Sequence, residues 1–265
     1  MKVSSRNIAL IAVFAALYYV LSLISPYVPA VGLADLRIRL EALVASVFGF
    51  VLGPYLGALA AFTGAFVTWT IPPGSASPLD APFLLSPPIN ALVVGLVFYR
   101  KSKWAFAIFG SLIVAFLFLP PSQPITENYI VPIAVLWDKL IALFLIFPSI
   151  WLGKKSSNPR IVAALFFLIA FIGNQADNMW GSDVFAVPIV YKSIYGLDVE
   201  MVRPLFIASP FVYPAIRLVQ AILATIIAVP LMRTLKGTGW LIGEKSIIEQ
   251  ETLGELRAGK DKVGA

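Results

Sequence analysis

No charged residue occurs between Glu41 and Asp80, and this stretch, more than any other, limits what the chain can become. An uncharged apolar run of that length exceeds the roughly 20 residues that one membrane crossing needs. It is interrupted once, at Gly53-Pro54, and small residues recur at every fourth position: Gly49, Gly53, Gly57, Ala61 and Ala65. On helices this spacing lines one face with small side chains, which lets backbones approach closely inside a membrane. A proline ring clashes with a helix that continues through it. The expectation is therefore a tight hairpin of two helices, residues 36–52 and 53–69. Its entrance carries Asp35, Arg37, Arg39 and Glu41, read here as a helix start with i,i+4 pairs of opposite charge.

The rest of the chain agrees with a membrane protein. Apolar residues make up 59% of 265 positions and charged ones 13%, a balance that belongs to a bundle of spanning helices rather than to a domain in water. There is no Cys and no His. Thiol chemistry, disulfides, the usual zinc and haem ligands and the commonest acid–base side chain near neutral pH are all absent. Neither a cofactor nor a metal is expected.

Apolar runs are expected to span at residues 7–25, 83–99, 104–119, 130–152, 161–173 and 211–231, besides the two arms of the hairpin. The fold class is thus an all-α polytopic membrane protein, a bundle of six to eight transmembrane helices with both termini cytoplasmic. Residues 1–236 form a single transmembrane domain and 237–265 a polar cytoplasmic tail. The charges support this orientation: 14 of the 20 basic residues fall in segments placed inside, while nine of the 14 acids lie outside or in the membrane. The net charge of +6 thereby follows topology and does not point to nucleic acid. The location expected is the plasma membrane, with the lipid bilayer as solvent.

Charges that disobey this pattern mark the candidate site, because a charge in or near the bilayer is costly and needs a reason. Four clusters stand out. The first is Arg37, Arg39 and Glu41, where a guanidinium freed from its pair would suit a carboxylate or phosphate. The second is Trp137, Asp138 and Lys139. Adjacent helical residues face different ways, so Asp138 and Lys139 each call for another partner or a ligand. The third is Asn174, Gln175, Asp177, Asn178 and Trp180 at the outer end of a span, where amides and an indole suit a flat, polar, heteroatom-rich solute. The fourth is Arg217, placed to snorkel outward or to pair with Asp138 or Asp177. Each cluster also has a structural reading as paired charges, helix caps or an interfacial aromatic belt. All four belong at the outer face. Trp69 and Asn90 are weaker candidates, better suited to packing.

At this point the sequence resembles the substrate-binding (S) components of energy-coupling factor (ECF) vitamin transporters. The likeness is carried by the small-residue pair Ala12 and Ala16 on a first span after a basic start, by Gly53, Pro54 and Gly57 in the hairpin turn, and by the last span ending AVPLMRTLK. It is clearest over residues 1–100 and 205–236, while the middle of the chain has two spans more than such proteins usually have. The resemblance implies capture of a vitamin or its precursor, a transmembrane coupling subunit docked on Ala12 and Ala16, and cytoplasmic ATPase subunits. No nucleotide-binding loop is present in this chain, and Gly153-Lys154-Lys155-Ser156 lacks the spacing of one. The rival readings are a self-sufficient secondary transporter with Asp138, Lys139, Asp177 and Arg217 as an ion relay, and a membrane enzyme or scaffold. No inverted repeat and no convergent acid–base pair supports either.

Overall fold

The structure is a computed structural model, which describes residues 4–24, 27–30, 33–39, 43–72, 76–153, 158–208, 210–236, 238 and 241. Lys2, Glu41, Lys154, Lys155 and nearly all of the expected 237–265 tail lie outside these residues, as do the side chains of Arg37 and Arg39.

The chain is helical apart from one short hairpin. Helix α1 (Ser5–Ile24) is followed by strands β1 (Tyr27–Ala30) and β2 (Leu33–Arg39), then α2 (Leu43–Thr70), α3 (Ser86–Phe98) and α4 (Ser102–Phe118). A four-residue helix α5 (Ile125–Asn128) precedes α6 (Ile130–Leu152), α7 (Pro159–Phe185), α8 (Val199–Ile207) and α9 (Val212–Leu235). Among the described residues six segments are long and apolar enough to cross a membrane, and α4 is a shorter apolar helix beside them. The outward faces of α6 and α9 expose Ile133, Phe144, Phe147, Ile222 and Ile226, the side chains that lipid would cover.

The expected break in α2 is present and sharp. Gly53 has φ 77° and ψ −178°, a conformation open essentially to glycine alone, and Pro54 then starts the second arm, where its missing N–H costs nothing. The arms fold back on each other so closely that a Cβ on Gly57 would sit 2.7 Å from the Phe48 carbonyl oxygen. Helix α3 seals the turn, since a Cβ on Gly95 would lie 2.4 Å from the Pro54 nitrogen, and the Tyr99 hydroxyl donates to the Phe50 carbonyl at 2.8 Å.

The entrance to this hairpin differs from expectation. Residues 33–39 form a strand, paired antiparallel with β1 so that Tyr27 faces Arg39 and Ala30 faces Leu33. The first arm therefore starts at Leu43, not at residue 36, and its ten residues reach only about 15 Å, half of a hydrocarbon core. The helical i,i+4 pairing expected of Asp35 with Arg39 and of Arg37 with Glu41 has no helix to support it. The physical reason lies in the residues themselves: Asp35-Leu36-Arg37-Ile38-Arg39-Leu40-Glu41 alternates charged and apolar positions with the period of a strand.

A second difference concerns α7. The expected span at residues 161–173 continues as helix to Phe185, so Asn174–Trp180 is membrane helix and not the loop beyond it. The connection expected to be polar and irregular contains a π-helical turn (Ile189–Ile194) and α8, with Phe185, Val190, Tyr191 and Val202 in a small core of their own.

Candidate functional site: a polar layer around α7

Helix α7 is the central post of the bundle, packed on α3, α4, α6 and α9, and every residue from Ile169 to Met179 is buried. Its polar residues thus project into neighbouring helices. The antiparallel contact with α3 fixes the register: a Cβ on Gly173 would meet Asn90 Oδ1 at 2.5 Å, and Gly181 lies near Ser86. Asn90 faces Asn174 across that contact, and the ion pairs below join Asp177 to Arg217, so these side chains occupy one layer.

Two ion pairs cross or mark that layer. Arg217 Nη1 donates to Asp177 Oδ2 at 3.2 Å and to Gln220 Oε1 at 2.8 Å, joining α9 to α7. Ser86 at the start of α3 bonds the same Asp177 carboxylate. On α6, Lys139 Nζ pairs with Asp138 at 2.9 Å to Oδ1 and 3.1 Å to Oδ2. This corrects the expectation that the two neighbours need separate partners: with both side chains 3% exposed, the long lysine stem bends back to the nearest carboxylate because no water competes. Arg217 also acts electrostatically on Lys139, which places the two pairs side by side. Of the choices open for Arg217, pairing with Asp177 is the one realised.

An amide chain completes the layer. Ser46 Oγ donates to Asn90 Oδ1 at 2.8 Å, and Asn90 Nδ2 donates to Asn174 Oδ1 at 2.9 Å, linking α2, α3 and α7 through fully buried side chains. Asn90 is therefore a hub and not a packing residue. Beyond these bonds, Asn174 Nδ2, both polar atoms of Gln175, Asn178 Nδ2, Trp180 Nε1 and both carboxylate oxygens of Asp183 have no hydrogen-bond partner among the described residues. Buried polar groups are nearly always satisfied, so this concentration on one helix is unusual.

Two expected site residues are held elsewhere. Trp137 donates its Nε1 to the Pro210 carbonyl at 3.1 Å and packs its ring against Phe211, which anchors the start of α9 on α6. Trp69 donates to the Ser77 carbonyl at 2.9 Å; with Tyr19 on Pro72 and Tyr195 on Leu79 it straps the connection between α2 and α3. Ala12 and Ala16 are exposed on α1, outside the layer.

Sequence reasoning missed Ser46, Ser86, Asp183 and Gln220. Asp183 was within reach: Asn174, Asp177, Trp180 and Asp183 recur at three-residue intervals, but the span was expected to end before them. Among the described residues no group of three or more His, Cys, Asp or Glu side chains is placed to hold a metal ion.

The model of one protein family, described as ECF-type riboflavin transporter, S component, matches residues 2–120. The matched stretch covers α1, the β-hairpin and α2–α4, and so includes Ser46, Ser86 and Asn90 but none of the polar residues of α6, α7 and α9. No curated protein and no solved structure matches the chain.

Proposed function

We propose, from the family-model match over residues 2–120, that this chain is an S component of an ECF transporter, a multi-pass substrate-binding subunit of the plasma membrane. Its ligand is an uncharged, flat, heteroatom-rich micronutrient of the size and kind of riboflavin, held in the polar layer around α7. The observation that carries this reading is the set of buried, unpartnered amide nitrogens on Asn174, Gln175 and Asn178, with Gln175 Oε1 also open. An amide supplies a donor and an acceptor side by side, which matches the alternating carbonyl and N–H edge of a heterocycle. Neutrality follows from the charges. Arg217 and Lys139 already face Asp177 and Asp138, so within the layer neither is left to attract an anionic group.

In this reading Asp138, Lys139, Asp177 and Arg217 fix the relative positions of α6, α7 and α9, while Asn174, Asn178 and Trp180 contact the solute. Both termini are cytoplasmic, and residues 237–265 form a tail there. Uptake is driven by partner ATPases through a transmembrane coupling subunit that docks on Ala12 and Ala16, since the chain itself has no nucleotide-binding loop.

The test is titration of riboflavin with the purified full-length chain in detergent, followed by quenching of flavin fluorescence, together with mass spectrometry of what co-purifies. Saturable quenching at one site per chain is expected, and it weakens in Asn178→Leu. No quenching and no co-purified heterocycle would refute the proposal.

A further inference from the structure

We infer that Asp183 and Trp180 form a ligand-reading subsite, in which the Asp183 carboxylate accepts two hydrogen bonds from paired donors of the solute while the Trp180 indole N–H donates to an acceptor beside them. The inference rests on the flavin-type reading above and goes beyond it by assigning the group that discriminates among ligands.

Three observations carry it. Asp183 is 7% exposed, and neither carboxylate oxygen has a partner among the described residues. The other buried carboxylates in the bundle are matched: Asp138 by Lys139, Asp177 by Arg217. A buried carboxylate with nothing to accept from is among the most costly arrangements a fold can keep, and it is retained where something else supplies the donors. Finally, Trp180 Nε1 is also unpartnered, although Trp180 lies three residues from Asp183, near enough for side chains on a helix to be neighbours. A donor and an acceptor are thus left open on adjoining positions without satisfying each other.

Placement connects this pair to the layer below. Asn174, Asp177, Trp180 and Asp183 step along α7 by about 4.5 Å and turn back about 60° each time, so Asp183 stands about 180° round the helix from Asn174 and about 80° from Gln175. Trp180 therefore stands between the Asp177–Arg217 pair and Asp183. A solute that meets the Gln175 amide can reach Asp183 about two turns along the same side of α7, with the indole beside it. The donors that meet a carboxylate bidentately are two adjacent hydroxyls or two ring and exocyclic N–H groups; the shared requirement is a donor pair. Asp183 completes the site with acceptors, where Gln175 Nε2 and Trp180 Nε1 supply donors.

The experiment compares two probes on the full-length protein in detergent: riboflavin, which carries a polyhydroxyl chain, and lumiflavin, which has the same ring with a methyl group in place of that chain. Dissociation constants are measured for the wild type, Asp183→Asn and Asp183→Ala, with the melting temperature of each ligand-free protein. Loss of the paired hydrogen bonds is expected to weaken binding roughly 10- to 100-fold. Riboflavin is expected to weaken and lumiflavin not, since the hydroxyl chain alone carries a donor pair; equal weakening of both while the melting temperature holds would overturn the inference, because the flavin ring has a single N–H. Unchanged constants for both probes overturn the inference and leave the flavin reading standing. So does weakening of both that follows a lowered melting temperature, or failure of both variants to fold, because the carboxylate is then a structural group. A wild type that binds neither probe removes the flavin reading and this inference together.

Discussion

Replacing Arg217 by methionine tests the polar layer at its most connected point. The guanidinium is 8% exposed and the Asp177 carboxylate 3%, so neither charge has bulk water to fall back on. In Arg217→Met the apolar stem is retained, while Asp177 keeps only its bond from Ser86 and Gln220 Oε1 loses the Nη1 donor at 2.8 Å. Breaking one side of a buried pair costs about 3–5 kcal/mol, because it leaves an uncompensated charge. Asp177→Asn strands Arg217 in the same way, although Gln220 still accepts from it. The double replacement removes both charges and strands neither, so its cost should fall well below the sum of the two, with a coupling of about 2 kcal/mol or more. The assay is reversible unfolding of the purified protein in mixed micelles with increasing dodecyl sulfate, followed by circular dichroism. Additive losses, or single substitutions costing less than about 1 kcal/mol, would mean that the pair behaves as a solvated surface bridge and would refute the buried layer.

Two further outcomes are expected. Gly57→Val should abolish accumulation of folded protein, since a Cβ there meets the Phe48 carbonyl oxygen at 2.7 Å and the arms of α2 cannot close; Gly110→Ala, where a Cβ meets nothing within 4 Å, is the control that should accumulate normally by size-exclusion chromatography. Ala16→Trp on the exposed face of α1 should stop uptake by whole cells while leaving riboflavin binding to the purified chain intact; lost binding would place Ala16 in the site and contradict its assignment as a docking surface.

Much of this architecture can be read from the chain alone, and the reason is that the signals concerned are local. Absence of charge from residue 42 to 79 requires burial in lipid or protein, and Gly53-Pro54 requires a break, whatever surrounds them. Gly49 and Gly57 act through their own size, and they do mediate the close approach of α3 and of the two arms. Where the reading failed, two local signals competed. At residues 35–41 the strand-like alternation was present, yet charges at i,i+4 read equally well as a helix start. At residues 174–185 polarity was taken as the end of a span, since polar residues usually do end one; here α7 is surrounded by other helices, so its polar side chains face protein instead of lipid and the helix continues.

What the sequence by itself determined is the membrane bundle, the sharp turn in its second helix and the set of polar residues too costly to lie in lipid. Only the tertiary structure decided how those residues are used: that Asp138 turns to its neighbour Lys139, that Arg217 crosses to Asp177 forty positions away, that Asn90 ties Ser46 to Asn174, and that Asp183 is left open. Hydrophobic patterning is a property of neighbours along the chain. Charge and hydrogen-bond pairing in a bundle depends on helix register and rotation, which are settled by packing between helices far apart in sequence.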